Sequence, residues 1–254
     1  MNGYRYPDEN DQLTVQLIER EEPYEGYWER SENEALSHAE KFIDRTEARI
    51  LDVGCGEGRL FDRFEKYADE IIGIEPDKDR RKSAVKKAKR KEADIDISGL
   101  NFLEADFGEV FDIVLCSHVL QHVKTSDLSE FADRLRDNLV EGGLLILTTS
   151  HSTGRSDVFV KSYSEDAVLK EERVSEQEFN GLVTNDENVL PVHLFTIKNL
   201  EKLLEGFDFR TVRVFHELHS VTFLDSLVFR DKWINLPSLK KRVGRDVLVV
   251  AEKK

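Results

Sequence analysis

The feature that most constrains the fold is an apolar strand that runs directly into a glycine-rich turn. Residues 50–58 read ILDVGCGEG, with glycines at positions 54, 56 and 58. Glycines let the backbone bend tightly and approach a ligand without a Cβ in the way. Ligands of open α/β sheets bind at the carboxyl ends of the strands. We therefore expect this turn to bind a nucleoside-containing cofactor.

The spacing of the turn excludes two common phosphate-binding loops. A dinucleotide fingerprint needs its third glycine where the chain has Arg59, and no Gly-Lys-Ser/Thr follows as in a Walker loop. Asp52 suits an amine-bearing ligand better than a phosphate. A carboxylate on a buried strand needs partners, which favours a functional role for Asp52. Glu75 ends the second predicted strand and is placed to accept hydrogen bonds from both hydroxyls of a ribose.

Short β-branched runs alternate with helical patterns along most of the chain. This alternation is typical of crossover units on a parallel sheet, and several runs are apolar at consecutive positions, as when helices cover both faces. The predicted strands are 49–53, 70–75, 101–104, 111–116, 144–149, 209–216 and 246–251, and the predicted helices are 60–67, 78–91, 127–139 and one from Thr196 to Gly206. The last two strands are consecutive and can form an antiparallel edge.

Three segments do not fit the alternating pattern: 1–34, 151–195 and 218–244. We predict one domain over 1–254, made of an N-terminal cap segment (1–34), a cofactor-binding core (49–150), an insertion or lid (151–195) and a C-terminal helix with strands (196–254). The insertion is acidic and contains Tyr163 and Phe179. Its rings could cage a small or cationic acceptor, but a solvated lid packed by these rings is the favoured interpretation.

Composition restricts the class of partner. The net charge of −14 repels phosphate backbones, which disfavours nucleic acid. The basic run 80–91 is interpreted as a surface helix packed on the sheet rather than an anion-binding face. No apolar run approaches the roughly 18 residues of a membrane span, and the N-terminus lacks a signal-peptide pattern. Two cysteines provide no disulfide framework, which indicates a reducing compartment, and the cytoplasm is expected. The seven histidines are scattered without paired ligand spacing, so no metal site is predicted.

At four places the chain resembles the class I, Rossmann-like methyltransferases that use S-adenosylmethionine. The matching segments are 50–58, 71–77, 102–107 and 111–118, with the sequences ILDVGCGEG, IIGIEPD, FLEADF and FDIVLCSH. They follow the order and spacing of that family, and the resemblance covers roughly residues 49–150. It implies a Rossmann-like α/β fold with a seven-stranded, mostly parallel sheet, an antiparallel edge strand, helices on both faces and accessory cap elements.

The resemblance also implies a role for each matching residue. Backbone of the glycine turn would line the methionine part of S-adenosylmethionine, Asp52 would orient its amino group, Glu75 would hold the ribose, and Asp106 would accept from the adenine amine. Asp106 could instead be a turn residue, and Cys55 is interpreted as a small filler within the turn. The predicted cofactor-binding set is Asp52, Gly54, Cys55, Gly56, Gly58, Glu75, Pro76, Asp106, Phe107 and Ser117.

The acceptor side of the predicted site is less defined. His118 and His122 follow the fourth strand and are candidates for a base or for groups that orient the acceptor. A role in bracing the loop is an equal alternative for His118 and the favoured one for His122. We expect methyl transfer to a small molecule rather than to a protein side chain. Aminopropyl transfer in the same pocket and a non-catalytic scaffold are the alternatives, and the oligomeric state is not predicted.

Overall fold

The computed structural model describes residues 27–108, 110–165, 168–184, 189–217 and 244–254. Most of the predicted cap segment 1–34 and nearly all of the predicted segment 218–244 therefore lie outside the described residues. No helix in the described ranges is long and apolar enough to cross a membrane.

The main sheet has seven strands in the described part of the chain. Their bounds are β1 Ala48–Val53, β2 Ala68–Ile74, β3 Asp94–Ser98, β4 Phe111–Ser117, β5 Leu139–Ser150, β9 Phe207–Glu217 and β10 Gly244–Lys253. The strand order is β3-β2-β1-β4-β5-β10-β9, and β1 to β5 are mutually parallel. The chain starts in the middle at β1, builds outward to β3, and then returns to the other side of β1 at β4. This reversal makes a crevice at the carboxyl ends of β1 and β4, where such sheets bind ligands.

The two C-terminal strands confirm the predicted antiparallel edge. Strand β10 pairs antiparallel with β5 on one side and with β9 on the other, so that β9 is the outermost strand. The seven-stranded, mostly parallel, Rossmann-like sheet agrees with the expected fold class.

Helices lie on both faces of the main sheet, and each face has its own core. The helices are α1 Tyr27–Ala39, α2 Phe61–Phe64, α3 Lys78–Ala88, α4 Leu128–Asp137, α5 Glu176–Leu182 and α6 Ile197–Leu203. Leu51 and Val53 of β1 point to the core formed with α4 and α6, whereas Ile50 points to the core formed with α1, α2 and α3. Successive side chains of β1 thus contribute to the cores on both faces of the sheet, as expected for a strand covered by helices on both faces.

The third predicted strand, 101–104, is wrong. Those residues form a turn, and the strand at this position of the sheet is β3, Asp94–Ser98, with the sequence DIDIS. Because β3 is an edge strand, its alternate residues face solvent and are charged. The apolar-run pattern used for the inner strands does not detect such a strand.

The insertion predicted over 151–195 contains a sheet of its own. Strands β6 Val158–Glu165, β7 Val168–Val174 and β8 Leu190–Leu194 form a three-stranded antiparallel sheet in the order β7-β6-β8. We call these three strands the accessory sheet. Helix α5 begins at Glu176, where the hydroxyl of Ser175 accepts a hydrogen bond from the Glu178 N–H. Phe179 of α5 is fully buried, so it packs the insertion rather than lining an open cage.

Candidate active site

The glycine turn lies in the crevice between β1 and β4 and adopts a backbone that favours glycine. Gly54, Gly56 and Gly58 have φ angles of 69°, 58° and 77°. A Cβ at Gly54 would overlap the side chain of Val119, and one at Gly58 would overlap the ring of Phe61. The turn is therefore limited to glycine by conformation and by space. Gly54 is half-buried, and Gly56 and Gly58 are buried.

Asp52 is a buried carboxylate near the end of β1. Its exposed fraction is 2%, and within the described residues Oδ2 has no hydrogen-bond partner. Burial raises the pKa of Asp52 to about 7, against the opposing charge of Arg59. Burying such a group costs free energy unless a partner arrives. An amine-bearing ligand would supply the missing donor, so the residue fits the amino group of S-adenosylmethionine.

Glu75 joins the end of β2 to the glycine turn. Its Oε2 accepts a hydrogen bond from the Gly56 N–H at 3.0 Å, and its Oε1 accepts one from the Asp77 N–H at 2.8 Å. Burial raises the pKa of Glu75, while the nearby Arg80 and these two hydrogen bonds lower it. A carboxylate offers about four acceptor positions. Glu75 can thus fix the turn and still accept from a ribose, the role predicted from the sequence.

The neighbours of these two acids have simpler roles. Cys55 is buried, and a Cβ at Gly73 would lie 2.9 Å from its Sγ, so the thiol fills the space between β2 and the turn. Burial raises the pKa of the Cys55 thiol, which makes it unreactive. Pro76 is exposed, and its carbonyl accepts a hydrogen bond from Arg81. These contacts agree with the interpretation of Cys55 as a filler.

Asp106 and Phe107 lie before β4, and their described contacts remain local. Asp106 is exposed and accepts from the Gly108 N–H at 3.0 Å, which is a turn bond. The ring of Phe107 packs edge-to-face on Phe111 at 5.5 Å. Arg134 of α4 holds this loop by donating to the carbonyls of Phe102 and Ala105. The structure does not connect Asp106 to the glycine turn, so its adenine role stays a prediction.

Ser117 is surrounded by polar groups that the sequence analysis did not identify. Its hydroxyl donates to Glu32 Oε1 at 3.1 Å and lies 2.9 Å from the Thr148 hydroxyl. Glu32 comes from α1 and is 1% exposed, and both of its oxygens accept from the guanidinium of Arg59. No spacing in the sequence indicates that residue 32 approaches residue 117. Only the position of Arg59, directly after the turn, could have suggested a carboxylate partner.

His118 and His122 are linked to each other through one side chain, Gln121. His118 Nδ1 and Gln121 Oε1 are 3.3 Å apart, and Gln121 Nε2 lies 3.3 Å from His122 Nε2. His122 Nδ1 is 2.7 Å from the carbonyl oxygen of Pro191 in β8. Burial lowers the pKa of His122 to about 4, with the Pro191 contact opposing. His118 has a left-handed backbone, with φ 56°, and its Nε2 is 3.7 Å from Glu32 Oε1.

Metal binding is not indicated in the ranges that the structure describes. There, no group of three or more His, Cys, Asp or Glu residues is arranged to hold a metal ion. The basic run 80–91 carries surface ion pairs: Lys87 of α3 and Lys91, three residues past the helix, both contact Asp62. These pairs agree with the interpretation of the basic run as a surface helix.

Comparison with known proteins identifies a family model that covers most of the chain. The model described as a methyltransferase domain matches residues 27–214. This range includes the glycine turn, both histidines, the accessory sheet and helix α1 with Glu32.

Individual relatives match over shorter stretches or at lower identity. A ubiquinone biosynthesis O-methyltransferase from Bradyrhizobium sp. is 32% identical over 108 residues, which is 42% of this chain and 42% of that protein. The match thus spans about two fifths of the length of that relative. The fold is similar to a Burkholderia thailandensis 1,6-didemethyltoxoflavin N1-methyltransferase with bound S-adenosylhomocysteine, at TM-score 0.58, 16% identity and coverage of 96% and 88% of the two chains. It is also similar to the cyclase SpnF, at TM-score 0.59, 15% identity and coverage of 99% and 87%.

Proposed function

This chain belongs to the methyltransferase domain family, and from that premise we propose that it transfers a methyl group from S-adenosylmethionine to a hydroxyl oxygen of a small molecule. The observation that carries the proposal is a buried Asp52 oxygen that has no hydrogen-bond partner in the described part of the chain, beside a turn that favours glycine. The choice of oxygen rests on relatives named as O-methyltransferases. The net charge of −14 supports a small molecule over nucleic acid.

The described residues divide the cofactor among them. Asp52 would accept from the amino group, the backbone of the glycine turn would line the methionine chain, and Glu75 would accept from the ribose hydroxyls. Asp106 and Phe107 would serve the adenine, and Ser117 would face the sulfonium end. When bound, S-adenosylmethionine supplies an already activated methyl group. The protein therefore mainly aligns the acceptor and excludes water.

The surroundings of Ser117 argue against aminopropyl transfer, the alternative that uses the same pocket. That reaction needs a cluster of acids after the fourth strand to bind a polyamine. The described contacts of Ser117 include one carboxylate, Glu32, which two guanidinium nitrogens of Arg59 already hold. One acid is not the cluster of acids that a polyamine would need. Cys55 and Cys116 are buried free thiols, which supports our placement of the reaction in the reducing cytoplasm.

Isothermal calorimetry with S-adenosylhomocysteine and S-adenosylmethionine tests the proposal. We expect saturable binding by the wild type and at least roughly 30-fold weaker binding by Asp52→Ala and by Glu75→Ala, since each removes a hydrogen bond to a charged group. Asp157→Asn is the matched control, because Asp157 is a partly buried aspartate of the insertion. Absence of binding by the wild type contradicts the proposal. Unchanged affinity in both variants means that the cofactor lies elsewhere.

A further inference from the structure

The contacts of Gln121 allow the protons on both neighbouring histidines to be assigned. Gln121 is 7% exposed, and its Oε1 lies 2.9 Å from the backbone nitrogen of Ser150. A backbone N–H can only donate, so the atom facing it must be the amide oxygen. The hydroxyl of Ser150 donates to the same oxygen, also at 2.9 Å. The orientation of the Gln121 amide is thereby fixed without reference to either histidine.

The fixed amide assigns His122 as a neutral ring with its proton on Nδ1. Gln121 Nε2 can only donate, so the His122 Nε2 that it faces at 3.3 Å carries the lone pair. The ring proton is then on Nδ1 and is donated to the Pro191 carbonyl at 2.7 Å. Both nitrogens of His122 are engaged, and the lowered pKa agrees with a ring that stays neutral. His122 is a brace between the accessory sheet and the turn after β4.

The same amide has the opposite consequence for His118. Gln121 Oε1 can only accept, so His118 Nδ1 must donate to it across 3.3 Å. In the neutral ring the lone pair is then on Nε2. That nitrogen lies 3.7 Å from Glu32 Oε1, which also accepts from Ser117. The basic nitrogen of His118 is therefore on the side of the ring where Ser117 and the buried carboxylate lie.

We propose that Gln121 is a positioning residue that presents Nε2 of His118 as the proton acceptor for methyl transfer, with Glu32 stabilising the imidazolium that forms. The inference rests on the proposed function. As the methyl–oxygen bond replaces the methyl–sulfur bond, the hydroxyl proton of the acceptor passes to Nε2, and the electron pair of the broken bond stays on sulfur. The substrate class is accordingly a neutral, weakly acidic hydroxyl such as a phenol, which needs a base to react near neutral pH.

The assignment is tested by the tautomers themselves, in the full chain without cofactor. Long-range ¹H–¹⁵N correlation spectra of protein labelled at histidine nitrogens should show both rings protonated at Nδ1, with His118→Asn used to assign the His118 signals. In Gln121→Leu, His118 should shift toward the Nε2–H form that free imidazole favours, while His122 should keep its Nδ1 proton through Pro191. Gln121→Glu retains the acceptor and should leave His118 unchanged. A wild-type His118 protonated at Nε2 overturns the proposal whatever the Gln121 variants show.

The chemical role is tested with catechol as the hydroxyl probe and thiophenol as the matched control. The sulfur of thiophenol is already largely ionised at mildly alkaline pH and needs no base. In His118→Asn, catechol methylation should fall by about 100-fold or more, thiophenol methylation should change little, and the affinity for S-adenosylhomocysteine should be retained. Glu32→Gln should reduce catechol turnover less, without changing the tautomer. An equal loss on both probes, or wild-type catechol turnover in His118→Asn, overturns the base assignment.

Two further outcomes separate this inference from the proposed function. A wild type that binds S-adenosylmethionine but does not methylate catechol overturns the assigned acceptor class. A wild type that does not bind the cofactor contradicts the proposed function, while the tautomer spectra still report on Gln121.

Discussion

Two aspartates, one at the glycine turn and one at the base of the accessory sheet, are treated in opposite ways by their surroundings. Asp52 is buried with an oxygen that has no hydrogen-bond partner among the described residues. Asp157 accepts three hydrogen bonds, from the Thr196 N–H at 2.7 Å, the Thr196 hydroxyl at 2.8 Å and His193 Nε2 at 3.0 Å. Burial raises the pKa of Asp52 to about 7. Burial opposes ionisation of Asp157 too, but its hydrogen bonds outweigh that effect and lower its pKa.

This difference in hydrogen bonding distinguishes an acid that is available to a ligand, Asp52, from one that connects parts of the fold, Asp157. Asp157 holds Thr196, the N-cap residue of α6, and His193, whose ring lies 3.8 Å from that of Phe195. Its acceptors are used within the protein, which stabilises the join between insertion and core. The folded protein bears the desolvation cost of Asp52, and an incoming donor can relieve it. A buried acid with an unused acceptor is therefore a better indicator of function than a buried acid whose hydrogen bonds are formed within the protein.

The largest expected effect is on the pH dependence of stability, without cofactor. Because folding raises the pKa of Asp52 from about 3.9 to about 7, the protonated carboxyl favours the folded state at low pH. That contribution is fully present below about pH 4 and is lost as the pH rises through 7. Between pH 5 and 8, the unfolding free energy of Asp52→Asn should therefore rise by roughly 3 kcal/mol relative to wild type. Urea denaturation at both pH values measures this; parallel curves would contradict it.

Asp157→Asn should show the reverse pattern and a smaller effect. We expect it to lower the unfolding free energy by about 2 kcal/mol at pH 7, because hydrogen bonds to a charged group are lost. The lowered pKa of Asp157 gives stability that is present above its unfolded pKa, near 3.9, and is lost as the pH falls through the folded value. Wild type and variant should therefore converge in acid. If the variant instead loses cofactor affinity at pH 7 by calorimetry, the two aspartates are not functionally distinct.

A pair of glycine substitutions sharpens the comparison at the level of the backbone. Gly54→Ala should destabilise the protein by about 1–2 kcal/mol, because φ is 69° and the added methyl overlaps Val119. Gly181→Ala, in helix α5 of the insertion, meets no atom within 4 Å. It should stabilise by up to about 1 kcal/mol. Thermal denaturation should show a lower melting temperature for Gly54→Ala and a higher one for Gly181→Ala. Equal destabilisation of the two variants would mean that the insertion also depends on glycine.

The smallest effects on stability are expected from surface ion pairs, both in the core and in the insertion. Asp62→Asn removes an acid that is 58% exposed and paired with Lys87 and Lys91. Glu178→Gln removes the partner of Lys161 in the insertion, 47% exposed. Each should change the unfolding free energy by no more than about 0.5 kcal/mol. A loss above about 1 kcal/mol in urea denaturation at moderate salt would show that one of these pairs is part of a stronger network.

The core of the fold was predictable because its strands are buried on both faces. Strands β1, β2, β4 and β5 combine β-branched runs with a glycine turn or a polar end, and these features are visible without a structure. Strand β3 was missed because its exposed face carries Asp94 and Asp96. The accessory sheet was missed for a similar reason, since the second half of β6 reads KSYSE and resembles a polar loop.

The positions of the candidate site residues follow from the sequence where they lie at strand ends, as Asp52, the glycine turn and Glu75 do. Their roles toward a cofactor stay predictions. Glu32 and Gln121 do not, since their roles depend on contacts to Arg59 and to Ser150 that span 27 and 29 positions. Side chains that position others by such contacts have no characteristic spacing. Their roles become visible only when donors and acceptors can be matched atom by atom.

The left-handed backbone of His118 has an evolutionary consequence. Its φ of 56° is a conformation that glycine adopts without strain and that costs most other residues about 1 kcal/mol or more. Random mutation under selection for stability alone would replace this histidine by glycine or asparagine. Its retention in a lineage would therefore be a record of selection for the ring. Chains of this family in which the position has drifted to glycine are the ones to search for a different acceptor or for lost catalysis.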